Sequence, residues 1–346
     1  MIPLFLLFAA TFAPQLDSIP NRQPQLAVRG QELALTYGAG NAIYFALSQD
    51  KGATWTTPVV VSAKGRLALG MRRGPRVAFA GSSIVISAIV GNEGRGRDEN
   101  LLIWRSGDSG RSWSLSRQLN EVSASAREGL HAMSAGRGNT LFAGWLDLRG
   151  NGAQIYGSVS LDGGKTWSAN RRIYASPSGS VCECCHPSVY VDERDWIYVM
   201  FRNSLDGDRD MYVVHSQDHG KTFSAARKLG SGSWKLDACP MDGGSLTVRS
   251  GVVTSAWRRE STVFRGTIGG TEVPLGPGKQ PVVLSTSRGD LVAWTDGKTL
   301  RWIRGDEKNV QRLDGGIAYP SLVELPDGEV VVAGEREGTV YVDRLP

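Results

Sequence analysis

All four cysteines of the chain fall in two short motifs, Cys182-Glu183-Cys184-Cys185-His186-Pro187 and Cys239-Pro240-Met241-Asp242. Thiolate, imidazole and thioether are soft ligands that suit copper, or zinc if Met241 stays outside the shell. His131 occupies the same place in the repeat pattern as His186, so a metal-binding reading takes Cys182, Cys184, Cys185, His186, Cys239 and His131 as its ligand set. The same cysteines can instead form two disulfides in an exported protein, or remain free thiols, and four cysteines allow three pairings between which spacing does not choose. A second set is cationic: Arg22, Arg73, Arg202, Arg258 and Lys279. A guanidinium is a planar fork that grips a carboxylate or phosphate through two hydrogen bonds, so such a set can hold an anionic ligand. The competing role is internal, with these arginines pairing to Asp147, Asp242 and Glu335 to hold the fold together.

What would bring such distant residues together is a repeat. Residues 48–55, 106–113, 160–167 and 216–223 all read S-x-D-x-G-x-[ST]-[WF], with Asp50, Asp108, Asp162 and Asp218 spaced 58, 54 and 56 residues apart. The pattern has a mechanical reason: the Asp carboxylate accepts turn amides, Gly tolerates positive φ and the aromatic ring wedges under the hairpin. These four Asp residues are therefore structural clips. A second alignment finds seven units, with first strands registered on Pro24, Pro75, Ala132, Pro187, Gly244, Pro281 and Pro320. Second strands follow over residues 33–37, 84–89, 141–145, 197–201, 252–257, 291–294 and 330–333. Short strands repeated with Gly and Asp turns predict an all-β, single β-propeller of four-stranded blades, seven in number, with six the alternative. The seventh unit shows three strands, and residues 15–19 are expected to supply the fourth and close the ring. First-strand starts and second-strand ends then share one face, the channel mouth, where the cationic and cysteine residues fall. The Asp boxes fall on the opposite face.

The boxes resemble those of sialidases and related propellers, where each joins the third and fourth strands of a blade. With its C-x-C-C and C-P-x-D-G elements the chain is similar to a bacterial sialidase-like subgroup. Arg22-Gln23-Pro24 looks like the family's R-x-P element, which implies that Arg22 opens the arginine triad gripping a sialic acid carboxylate. Tyr319-Pro320-Ser321-Leu322 resembles the segment carrying the nucleophilic tyrosine, and Glu335 stands where a Glu steadies the first arginine. Asp242 and Arg258 are similar in position to the acid that activates the tyrosine and to the second arginine, while Lys279 is nearest to the third. One element is missing: residues 36–41 read T-Y-G-A-G-N, without the acid/base carboxylate that glycoside hydrolysis uses.

Bulk composition agrees with this outline. Forty-three Gly and ten Trp in 346 residues suit short strands and tight turns rather than helices. The net charge of +5 comes from 39 Lys and Arg scattered among 34 acids, without the basic run that a nucleic-acid partner requires. The apolar start to Ala13 is too short to span a bilayer and reads as a signal peptide or export segment over residues 1–17, leaving residues 18–346 as the propeller. The expectation is thus a secreted, periplasmic or cell-envelope propeller acting on or binding an anionic glycan, as an exo-α-sialidase-type hydrolase or a lectin-like relative. A copper- or zinc-binding envelope protein and a scaffold for a protein partner are the alternatives.

Overall fold

The computed structural model describes residues 9–14 and 19–346, and contains strands and no helices among them. Seven antiparallel sheets follow one another along the chain and close into a ring. Their innermost strands are Asn21–Arg29, Arg76–Ala80, His131–Ala135, Ser188–Val191, Ser245–Arg249, Lys279–Thr286 and Ala318–Glu324, which define blades 1 to 7. Each of the seven predicted register points falls at or within one residue of the start of these strands, except Pro24, Pro281 and Pro320, which lie two or three residues inside. Second strands are mostly apolar and buried, as in Ile197–Arg202 and Ser83–Gly91, because they are covered on both faces by neighbouring blades. The core therefore sits in the seams. One cluster, for example, joins Ile43 and Phe45 of blade 1 to Val77, Ile84 and Ile86 of blade 2.

The ring closes differently from the sequence expectation. The outer strand of blade 7 is Ala10–Phe12, paired antiparallel to Thr339–Leu345 with Phe12 opposite Val340. Residues 15–18, the bulk of the expected closing segment, lie outside the described residues. The physical reason for the earlier strand is Phe12: its buried ring meets Tyr37 at 6.2 Å and Trp55 at 5.5 Å, whereas residues 15–19 offer no aromatic anchor. The closing strand thus lies within the stretch read as an export segment.

The Asp boxes form as expected and do more than cap a turn. In blade 1, Asp50 accepts from the Thr54 amide at 2.8 Å and the Thr54 hydroxyl at 2.6 Å, while the Gly52 amide donates to Ser48 at 2.8 Å. The box aromatic then crosses to the preceding blade. Trp55 of blade 1 packs on Phe12 of blade 7, Trp113 of blade 2 on Phe45 of blade 1 at 5.0 Å, and Phe223 of blade 4 on Phe142 of blade 3 at 6.2 Å. A side chain at Gly110 would collide with the Phe45 ring, which explains the glycine in the box. Each box is therefore a fastener between blades as well as a turn.

Two predictions concern these fasteners. Phe12→Ala lowers unfolding free energy by about 3 kcal/mol, read from a denaturant midpoint, because it removes a buried ring from the closing seam. The hydroxyl and amide of Ser112 hold Asp108 well below the usual carboxylate range, and Thr222 does the same to Asp218. At Asp162 burial pushes upward, but bonds from Thr166 and Ser160 outweigh it and hold the group at about 2. A folded-state pKa below the unfolded one adds stability above about pH 4 that disappears as pH falls toward 2. Denaturant midpoints should fall across that window, and the fall should be shallower in Asp162→Asn.

Candidate functional site

The seven inner strands surround a channel of about 460 Å³, lined at one end by Gln23, Arg72, Arg76, His186 and Tyr319. At three adjacent blades the inner strand starts with a bulge, and the residue before the proline is turned into left-handed backbone: Gln23 (φ 53°), Gln280 (φ 56°) and Tyr319 (φ 52°). Residues preceding proline favour extended backbone, so each such position costs about 1–3 kcal/mol and must be held by its surroundings. Polar contacts with neighbouring blades hold them. The Gln23 side-chain oxygen accepts from the Gly70 and Gly74 amides of the blade 2 loop at 2.9 and 2.7 Å, and the Gln23 backbone N–H donates to Glu335 at 2.6 Å. The Gln280 side chain accepts from the Tyr319 amide at 2.7 Å, and the Gln280 amide donates to Asp242 at 2.7 Å. The Tyr319 hydroxyl accepts from the Met71 amide at 3.3 Å. Blades 5, 6, 7, 1 and 2 are thereby tied into one chain of hydrogen bonds around the mouth.

The acids that sequence reasoning offered as internal partners do hold arginines. Glu335 pairs with Arg22 at 3.3 Å, Asp242 with Arg258 at 3.3 Å and Asp147 with Arg149 at 2.8 Å. Burial pushes the Glu335 carboxyl above its ordinary value against the pull of Arg22 and the Gln23 amide. The arginines differ in what remains free. Arg202 is 1 % exposed and spends its guanidinium on the carbonyls of Asp242, Arg209 and Arg258, clasping blade 4 to blade 5. Arg258 also donates to the Glu260 and Pro240 carbonyls. Lys279 is exposed at the start of its strand. By contrast, among the described residues Arg22 bonds only through Nε, to Glu335, and Arg73 only through Nε, to the Glu128 carbonyl at 2.6 Å.

Two cations at the mouth escaped the sequence reading. Arg72 donates through Nη2 to the Gln280 carbonyl at 2.9 Å, has a buried Nε without a partner, and lies close enough to Asp242 and Tyr319 to feel both electrostatically. Burial, and then the like charge of Arg72, bring Arg76 down to about 9. Positive charge is thus concentrated in the mouth beyond what its acids neutralise. Arg72 adjoins Arg73 in Met71-Arg72-Arg73-Gly74-Pro75, but the register singled out Arg73 because it counted two residues back from each strand start. Glu128 is a further titratable group nearby, its carboxyl raised by burial against the pull of Arg73. Tyr319 and Asp242 share no hydrogen bond among the described residues; Arg72 stands beside both.

The cysteine cluster is smaller than the six-residue set expected. Cys182 Sγ lies 3.4 Å from Cys185 Sγ and 3.7 Å from Cys184 Sγ, all three within 4.8 Å of one another. All four cysteines are unbridged, since a disulfide needs about 2.05 Å. The nearest pair is spaced as C-x-x-C, which the C-x-C-C reading conceals. His186 turns away: its Nε2 donates to the Gly244 carbonyl at 3.0 Å and its Nδ1 accepts from the Gly243 amide at 3.3 Å, so the neutral ring has no lone pair left for a metal. Burial, with Arg72 and Arg76 adding to it, keeps it far below its ordinary pKa. His131 faces blade 2, with Nε2 3.0 Å from the Ser87 hydroxyl, and Cys239 is exposed outside the sulfur trio. The reason is register: equivalent strand starts on different blades point along different radii, so His131 cannot reach a cluster on blade 4.

Known proteins give the same architecture. The Penicillium chrysogenum α-L-arabinanase solved with arabinobiose is 15% identical, with a TM-score of 0.56 over 97% of this chain and 96% of that one. The polysaccharide lyase Uly1 is 9% identical, with a TM-score of 0.57 over 94% and 90%. Trypanosoma rangeli sialidase with sialic acid is 12% identical, with a TM-score of 0.51 over 97% of this chain but only 58% of the sialidase. No curated protein matches at the level of sequence. Residues 39–332 match the BNR repeat-like domain, the greater part of the chain. With its repeated boxes and its seven-bladed ring, the chain belongs to the BNR repeat-like family of sialidase-like propellers.

Proposed function

We propose that this protein recognises the carboxylate of an anionic glycan at the channel mouth, as an exported relative of sialidases. One observation carries the reading: Arg22, Arg72 and Arg73 keep guanidinium nitrogens without partners among the described residues around the Tyr319 end of the channel, while Arg202 and Arg258 are consumed by carbonyls. A carboxylate accepts two such forks at once, and the surplus positive charge at Arg72 and Arg76 favours an anion there. The arginine grip implied by resemblance therefore shifts from Arg22, Arg258 and Lys279 to Arg22, Arg72 and Arg73. The arabinanase, the polysaccharide lyase and the sialidase that share the fold are named for acting on glycans, which agrees with a sugar ligand.

Whether recognition is followed by hydrolysis depends on Tyr319. Residues 36–41 supply no acid, leaving Glu128 as a raised carboxyl on the same rim. Export rests on the apolar run before Ala13. A mature chain starting after Ala13 would leave blade 7 with three strands, and N-terminal sequencing of envelope protein reads this directly.

Calorimetric titration with sialic-acid- and uronic-acid-terminated oligosaccharides tests the binding. Arg22→Ala and Arg72→Ala should each weaken it by about 10–100-fold, the worth of a charged hydrogen bond, and Arg258→Ala by much less. Equal losses in all three, or no binding of either sugar class at millimolar concentration, would discard the reading. For turnover, a fluorogenic sialoside should be hydrolysed by the native chain and at least about 100-fold more slowly by Tyr319→Phe. Binding with no hydrolysis identifies a lectin.

A further inference from the structure

The sulfur trio calls for a ligand that the glycan reading does not use. Cys182 and Cys185 are each 1 % exposed and Cys184 is half-buried at the rim. The segment is held from both sides: the Cys182 amide donates to the Arg202 carbonyl at 3.0 Å, Cys185 turns back on Cys182, and Val181 bridges Asn203. Three sulfurs fixed in this way form one face of a polyhedron. Around zinc with sulfur ligands at about 2.3 Å, tetrahedral geometry puts sulfurs about 3.8 Å apart, against the 3.4 and 3.7 Å found here.

Arg202, whose carbonyl holds the Cys182 amide, is fully buried, bonds through its guanidinium only to carbonyl oxygens and forms no ion pair among the described residues. A fourth sulfur is close by. The Met241 backbone lies close enough to Cys184 to act on it electrostatically, and Cys239 lies two residues away, at most about 7 Å of chain, on an exposed loop.

We propose that Cys182, Cys184 and Cys185 bind one thiophilic closed-shell cation, zinc(II) or copper(I), with Cys239 closing the shell around zinc. Copper(I) accepts three thiolates and zinc prefers four ligands, so Cys239 separates the two. The site adjoins the arginine grip, since Arg73 lies close enough to Cys184 to feel it electrostatically, but its ligands are not shared with that grip.

The full chain, reduced under anaerobic conditions, is loaded with zinc(II) or copper(I), desalted and assayed for metal. One ion per chain is expected, with X-ray absorption showing three or four sulfur neighbours at about 2.3 Å. Cys184→Ser, at the half-exposed position least demanding on folding, should weaken retention by more than the about 100-fold that losing an outer-shell partner costs. Its melting curve should stay close to that of the native chain. Cys239→Ser should weaken zinc and spare copper(I) if copper is the natural ion, and the metal found in protein isolated from its native compartment names it. Reduced chain that retains neither metal overturns the proposal, as does retention unchanged in Cys184→Ser, or a native Cys182–Cys185 disulfide with no metal bound after its reduction.

Discussion

The mouth of this propeller depends on one device, a residue turned into left-handed backbone at the start of an inner strand so that its polar groups reach the next blade. Gln23, Gln280 and Tyr319 share this conformation, and each precedes a proline that would ordinarily forbid it. The strain is sustained because every such residue places a side chain or amide on a neighbour: Gln23 on the blade 2 loop and Glu335, Gln280 on Asp242 and Tyr319. Sheets whose core sits in apolar seams are locked at this end by hydrogen bonds with defined geometry. Tyr319 and the free ends of Arg22, Arg72 and Arg73 inherit their positions from that lock.

The opposite face solves the same problem with other chemistry. There the Asp box fixes a turn through carboxylate and hydroxyl bonds, and its aromatic ring crosses to the preceding blade, as Trp113 does on Phe45 and Trp55 on Phe12. Apolar wedges tolerate small rotations between blades, whereas the polar chain at the mouth does not. Precision is therefore concentrated on the ligand side, and sturdiness on the other. At blades 4 and 5, whose inner strands start without this bulge, the fully buried Arg202 and the neutral His186 join the two blades through backbone carbonyls and amides.

That junction bears on the cysteines. Arg202 enters the interior without an ion pair among the described residues, and its carbonyl holds the amide of Cys182, the first sulfur of the trio. The proposed metal site at blade 4 and the proposed anion grip across blades 7, 1 and 2 thus share one rim.

The repeat spacing of Asp50, Asp108, Asp162 and Asp218, and the alternation of short apolar runs, determined the fold, the number of blades and the face opposite the boxes on which the first strands begin. They could do so because box turns and strand burial are local properties that recur with the chain. Tertiary structure alone decided which residues are available. Arg202 and Arg72 look alike in sequence, yet carbonyls from blade 5 consume the first while the second keeps an unpartnered nitrogen beside Tyr319. His131 and His186 share a register but point along different radii, and Ala10–Phe12 displaced the expected closing strand because only Phe12 finds an aromatic seam to fill. Partner identity is a nonlocal quantity: it depends on which carbonyl, ring or charge the neighbouring blade presents, and spacing along one chain does not encode it.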